Sequence, residues 1–335
     1  LAALSNAEVT IKGALWSEDT EAMTDCMHRL GVKVVVAPDP DVAANRLITV
    51  QGCGGNIPNG GTEDQPLELF VANAGTAARF LTAMVCLGKG VYRLSGVPRM
   101  HERPQKELIR ALRSLGYRID TPNDMLPAVV HGTGPRPGNV VVSVDDSSQF
   151  ASALLLSSRA GQWTVATPPD ANPDELPYVE MTRRMTETFP HTGGQFQIEP
   201  DASSASYFHA VNAIFPDVCP VEVVACQPPR TAGGTGWQID AEFPRHAPTA
   251  LRASAPSAYV KVGLSLGSLY VLVAYIVELV FKWLAMGSVP AAGPSTGGGE
   301  VHVSRKTELG DSVMTAITIA PLAARPYAFD KLGVL

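Results

Sequence analysis

Asn73-Ala74-Gly75-Thr76-Ala77-Ala78-Arg79-Phe80-Leu81-Thr82-Ala83-Met84 sets a loop of small amide and hydroxyl residues directly before an apolar helical run. A helix N-terminus presents unpaired N–H groups and a partial positive charge, so it holds phosphate or carboxylate well. Gly75 permits close backbone approach, Thr76 can cap the helix or donate to an anion, and Arg79 follows one turn later on the same face. The competing reading is an ordinary N-cap.

The same design recurs outward from this stretch. Ser147-Ser148-Gln149 precedes Phe150-Ala151-Ser152-Ala153-Leu154, and Asp201-Ala202-Ser203-Ser204 precedes another small-residue helix. A second loop type, longer and more charged, alternates with it. Ser17-Glu18-Asp19-Thr20 leads through a helix to Leu30-Gly31-Val32, and Pro98-Arg99-Met100 leads to Leu115-Gly116-Tyr117. A third copy runs from Asp174-Glu175-Leu176-Pro177 toward Phe196-Gln197-Ile198. Leu108, Leu112 and Leu115 at i, i+4 and i+7 predict a helix burying one stripe. Gly31 and Gly116 predict helix ends in the left-handed conformation. They lie 85 residues apart, and residues 1–199 read as repeated α/β units of about 70–85 residues. Ligand loops in such folds gather where helix N-termini converge.

At 335 residues the chain is long enough for two domains. Its 45% hydrophobic and 17% charged residues mark a folded globular protein. A net charge of -6 argues against a general nucleic-acid binder, which usually needs a basic face. Cys26, Cys53, Cys86, Cys219 and Cys226 are odd in number and form no CxxC or CxxH pair, so neither a disulfide framework nor a zinc site is expected. No HExxH occurs, and metal catalysis is not expected. Leu1-Ala2-Ala3-Leu4 reads as the tail of a helix, and no signal-peptide pattern is visible. The cytoplasm is the expected compartment, or a plastid if a transit peptide preceded Leu1.

Residues 214–296 break the plan. Phe215 to Lys261 is proline-rich, and Val262 to Val277 is an uncharged, mostly apolar run somewhat shorter than a bilayer span of roughly 20 residues. A buried helix is the preferred reading there, against a membrane span or text that never folds natively. The plan resumes near Val301-His302-Val303 and Gly310-Asp311-Ser312.

Taken in order, five segments closely resemble the motif series of the 5-enolpyruvylshikimate-3-phosphate synthase family. They are Asn73 to Arg79; Gly96-Val97-Pro98-Arg99-Met100-His101-Glu102-Arg103-Pro104; Ser147 to Phe150; Pro177-Tyr178-Val179-Glu180-Met181-Thr182; and Glu199-Pro200-Asp201-Ala202-Ser203-Ser204-Ala205-Ser206-Tyr207-Phe208. The resemblance returns at Gly310 to Thr315. It implies a two-domain α/β enolpyruvyl transferase fold of repeated βαβαββ units, inverse α/β barrel-like, with the second domain incomplete. Residues 1–199 would form the shikimate-phosphate-binding domain, and 200–335 a partial second domain with an atypical insert at 214–296.

The implied reaction moves the enolpyruvyl group of phosphoenolpyruvate to the 5-hydroxyl of shikimate 3-phosphate, without metal or organic cofactor, in a monomer. By the resemblance, Ser147, Ser148, Gln149 and Tyr178 contact shikimate phosphate and its ring hydroxyls. Gly75, Thr76 and Arg99 belong to the phosphoenolpyruvate site, with Asn73 shaping the loop. Asp311 is the candidate general base, and Asp311 and Arg99 carry the catalytic assignment. Glu175 stands where many members have serine, which puts one phosphate contact in doubt, and Phe80 where many have proline. The family's Lys-Ser and Arg motif falls upstream of Leu1, and its final lysine motifs fall beyond Asp311. This chain is therefore expected to be an incomplete copy, and a catalytically inactive fragment that at most binds shikimate 3-phosphate is the rival reading. An enolpyruvyl transferase acting on UDP-N-acetylglucosamine is less favoured, because Cys86 in a predicted helix and Cys53 in a Gly-rich stretch do not match its mobile-loop cysteine.

Overall fold

The computed structural model describes residues 1–173, 175–214, 236–246, 301–304 and 327–330. Val262 to Val277 and Asp311 lie outside the described residues. The chain divides into one unit of Leu1–Asp201 with Ala225–Ile239, and another of Ala202–Val224 with Asp240–Leu335.

In the first unit, β4 (Leu67–Phe70), α2 (Gly75–Val85), β5 (Lys89–Ser95), α3 (Lys106–Ser114), β6 (Arg118–Asp120) and β7 (Ala128–Thr133) form one βαβαββ repeat. Its sheet order is β4-β5-β7-β6, with β4 and β5 parallel and the other pairs antiparallel. The N-terminal sheet repeats that order from different parts of the chain. There β1 (Glu8–Leu15) pairs antiparallel with β3 (Asn45–Gln51), which pairs with β2 (Val34–Pro38). The place that β4 holds is taken by β10 (Gly194–Gln197), parallel to β1 with Val9 opposite Gly194 and Lys12 opposite Gln197. A strand from the far end of the unit thus closes the first sheet.

The remaining repeat comprises β8 (Gly138–Val141), α4 (Gln149–Gly161), β9 (Trp163–Ala166) and α5 (Leu176–Thr188). Here the structure departs from three equal repeats. The antiparallel pair that follows α1 (Glu18–Arg29) as β2–β3, and α3 as β6–β7, has no counterpart after α5 among the described residues. The chain passes from Thr188 through a short turn directly into β10.

Two kinds of helix result, as the two loop types predict. In α2, Ala77, Ala78, Leu81, Ala83 and Val85 are buried, and in α4 Phe150, Ala151, Ala153 and Leu154. These helices pack on each other inside the unit, where small side chains allow close approach and apolar character all round removes any preferred solvent face. In α3 only Leu108, Ile109, Ala111 and Leu112 are buried, and Leu115 caps the end half-buried. Gly31 and Gly116 follow α1 and α3 with φ of 81° and 89°, the conformation that favours glycine. Helix α1 starts as its acidic first turn predicts: the Ser17 backbone N–H donates to Thr20 Oγ1 at 2.8 Å, and Glu18, Asp19 and Glu21 sit at the positive end. Leu1 to Leu4 contribute only a 3-10 turn, with Ala2 and Ala3 buried.

In the second unit, the Asp201-Ala202-Ser203-Ser204 motif opens α6 (Ala202–Ile214), which buries Ala202, Ala205, Ser206 and Ala210. A short helix, α7 (Phe243–His246), buries Phe243, and β11 (Val301–Ser304) runs parallel to β12 (Tyr327–Asp330). No helix among the described residues is long and apolar enough to cross a membrane.

Candidate anion-binding site

Both inner helices of the first unit begin without a side-chain cap. The N-cap of α2 is Ala74 and that of α4 is Ser148, and neither side chain bonds the helix start. The ordinary-cap reading of Thr76 therefore does not hold, since a residue inside the first turn cannot cap it. Thr76 and Asn73 are exposed, whereas Gly75 is buried. At α4, the Gln149 N–H donates to Ser147 Oγ at 3.2 Å, a local turn that shapes the loop.

Arginines bind the loops together. Arg103 donates to the Asn73 carbonyl at 3.1 Å. Its guanidinium crosses so close to Gly75 that a Cβ there would lie 2.5 Å from a guanidinium nitrogen. Here the absence of a Cβ makes room for the Arg103 side chain, with no unusual φ at the glycine. Arg79 lies buried beneath the same loop, its guanidinium 5.4 Å from the Phe150 ring centroid. It donates to Gln149 Oε1 at 2.6 Å and to the Pro104 carbonyl at 3.2 Å. Burial and the neighbouring Arg103 charge push its pKa down to about 10, so it remains a cation at neutral pH.

Helix α5 brings Tyr178 to α4. Ser152 and Thr182 share a buried hydroxyl hydrogen bond of 2.8 Å, and Thr182 Oγ1 also donates to the Tyr178 carbonyl at 3.0 Å. One turn before Ser152, Ser148 is buried, and its backbone N–H donates to the Glu175 carboxylate at 3.3 Å. Glu175, at the position where many family members are expected to have serine, thus places a carboxylate against the start of α4.

Among the sequence-selected residues, Asn73, Gly75, Thr76, Ser147, Ser148, Gln149 and Tyr178 lie on these connected loops and helix starts. Arg99 stands apart: its ion pair, at 2.6 Å, is with Glu102, and its side chain is 74% exposed. Arg79 and Arg103 take the closer positions. Both were visible in the motifs, but one-dimensional spacing does not reveal which arginine turns inward.

An apolar cavity of about 230 Å³ also lies in this unit, lined by Leu1, Met23, Met27, Ile48, Phe80 and Met84 among others. No lysine or arginine lines it, and its mostly apolar lining is unsuited to a doubly anionic ligand. Among the described cysteines, Cys86 is not placed for nucleophilic chemistry. Cys86 is buried at the end of α2, its thiol bonded to the Thr82 carbonyl, and burial raises its pKa above the usual thiol range.

The first unit is thus built of pseudo-repeated βαβαββ strands and helices, with buried Arg79 of α2 bonded to the start of α4. The sequence profile of EPSP synthase (3-phosphoshikimate 1-carboxyvinyltransferase) matches residues 1–192, and the chain belongs to that family. It is 36% identical to the 3-phosphoshikimate 1-carboxyvinyltransferases of Trichormus variabilis and Vibrio cholerae, covering 64% of this chain and 53% of each relative. The EPSP synthase of Acinetobacter baumannii shares the fold, with a TM-score of 0.50 and 22% identity over 64% of this chain and 49% of that one. The chain spans about half the length of the curated relatives it matches.

Proposed function

We propose that the first unit binds shikimate 3-phosphate and phosphoenolpyruvate, and that the chain takes part in enolpyruvyl transfer between them. The observation that carries this reading is the junction of two uncapped helix N-termini with the Arg79 and Arg103 guanidinium groups in a chain of this family. Ser147, Ser148, Gln149 and Tyr178 hold the shikimate phosphate and ring hydroxyls. Gly75, Thr76 and Asn73 cradle phosphoenolpyruvate with Arg103, and Arg99 joins them after releasing Glu102. Asp311 takes the proton of the 5-hydroxyl as its oxygen adds to C2 of phosphoenolpyruvate and C3 gains a proton, giving a tetrahedral intermediate; loss of phosphate from C2 with a proton from C3 then restores the double bond. Fixed N–H donors and guanidinium groups aimed at that intermediate lower its energy without reorganising during the reaction. The reaction asks for no metal or organic cofactor. The protein is proposed to act as a cytoplasmic monomer, which light scattering on the purified chain checks.

Isothermal titration of the 335-residue chain with shikimate 3-phosphate tests the binding role. The expected result is saturable binding, weakened in the Ser147→Ala/Ser148→Ala double variant. Equal heats for both proteins would remove these residues from the site. A coupled phosphate-release assay with both substrates tests turnover. Binding without phosphate release would leave a shikimate-phosphate-binding chain and withdraw the transferase activity.

A further inference from the structure

Arg79 has features that neither packing nor surface solvation explains. It is 3% exposed, yet no carboxylate pairs with it among the described residues. A buried cation without a counter-ion is costly, and such groups ordinarily pair or coordinate. Its Nε also lacks a partner. The two bonds it does make span three loops: Gln149 Oε1 on the α4 start, the Pro104 carbonyl after the 98–102 turn, and, through its own helix, the Asn73–Thr76 loop at the α2 start.

The Gln149 bond has a directional consequence. A glutamine side chain has one acceptor oxygen and one NH2 donor. With Oε1 held at 2.6 Å by a guanidinium, the amide flip is decided, and Nε2 keeps both protons for another acceptor. Gln149 is half-buried, so this donor lies at the boundary of the site. We propose that Arg79 is a positioning residue: from beneath the site it fixes the Gln149 amide with its NH2 group toward the bound phosphate ester, and its unpaired charge favours an anion there. The proposal rests on the ligand assignment made above.

The test uses the whole chain, shikimate 3-phosphate as the probe, and the variants Arg79→Met, Arg79→Lys and Gln149→Ala. Arg79→Met keeps length and apolar packing while removing the fork and the charge. Its affinity is expected to fall roughly tenfold, the scale of one charge-assisted hydrogen bond, and Gln149→Ala is expected to add little to that loss. Arg79→Lys keeps the charge but offers a single-point donor and is expected to lie between. A ligand-free readout separates positioning from stability. In 15N NMR the Gln149 side-chain NH2 pair should be dispersed in the unsubstituted chain. It should move to the position of a free glutamine in Arg79→Met and Arg79→Lys while backbone signals of α2 and α4 stay in place.

If Arg79→Met does not fold, Arg79→Lys and the NH2 signal decide. An unmoved NH2 pair, or affinity losses that add fully across the two sites, would overturn the positioning role. Absence of binding by the unsubstituted chain would instead overturn the ligand assignment. Binding by that chain with unchanged affinity in the Arg79 variants would overturn this proposal alone.

Discussion

Glu175 and Gly75 show how single residues set the surroundings of the α4 and α2 starts. The Glu175 carboxylate meets the Ser148 N–H, so it satisfies part of an N-terminus whose value lies in being unsatisfied. On the proposed assignment, the phosphate of shikimate 3-phosphate docks there against a like charge. Glu175→Ser should therefore raise the affinity for shikimate 3-phosphate by about tenfold, the worth of one charge-assisted bond, as read by calorimetry. Unchanged affinity would show that the carboxylate lies off the phosphate path. At Gly75 the clash of an added Cβ is with the far end of a flexible side chain. Gly75→Ala should leave stability within about 0.5 kcal/mol and displace Arg103 from the loop. Weaker binding of phosphoenolpyruvate with an unaltered urea midpoint is the expected pair of results. Both residues were legible as motif positions. The competing carboxylate and the crossing guanidinium were not, because each partner comes from a loop some 25 residues or more away.

At the level of helices and strands, the α4–α5 contact turns on one buried hydroxyl pair. Thr182 keeps a second bond to the Tyr178 carbonyl, whereas Ser152 has no other bond of this kind. Removing the threonine hydroxyl therefore orphans the serine, and leaving a buried donor unmet costs more than losing the bond itself. Thr182→Val should destabilise the chain by about 1–3 kcal/mol, more than Ser152→Ala, in urea unfolding. Helix α2 and its neighbour α1 supply a chemical test of burial. Desolvation raises the Cys26 pKa to about 12 and raises that of Cys86 further, while Cys53 is half-buried and only partly shifted. Since the thiolate is the reactive form, iodoacetamide at pH 8 should label Cys53 before Cys26 or Cys86, as peptide mapping would show. Early labelling of Cys86 would mean that α2 is not packed inside the unit. Helix type could be read from composition, because a helix apolar on every side has no place but the interior.

Across the first unit, integrity depends on β10 pairing with β1, Val9 lying opposite Gly194 from far along the chain. Phe196 on that strand packs on Phe189, with ring centroids 5.1 Å apart, and on Trp237 at 6.3 Å. Phe196→Ala should cost about 2 kcal/mol, below the range for a fully buried phenylalanine because this one is only partly buried. Amide exchange in Val9–Lys12 should accelerate, and unchanged protection there would show that β1 holds without its parallel partner. Local signals were enough for the repeated helix–strand plan, the glycine helix ends, the family and the loops that precede α2 and α4. Capping, periodicity and small-residue spacing act over a few neighbouring residues, and a chain read one turn at a time displays them. Only the folded chain decided that β10 completes the first sheet, that no antiparallel pair follows α5 among the described residues, and that Arg79 faces inward while Arg99 faces solvent. Those outcomes depend on which distant strand edge is free and which guanidinium finds a buried acceptor, and neither is encoded within any single stretch of sequence.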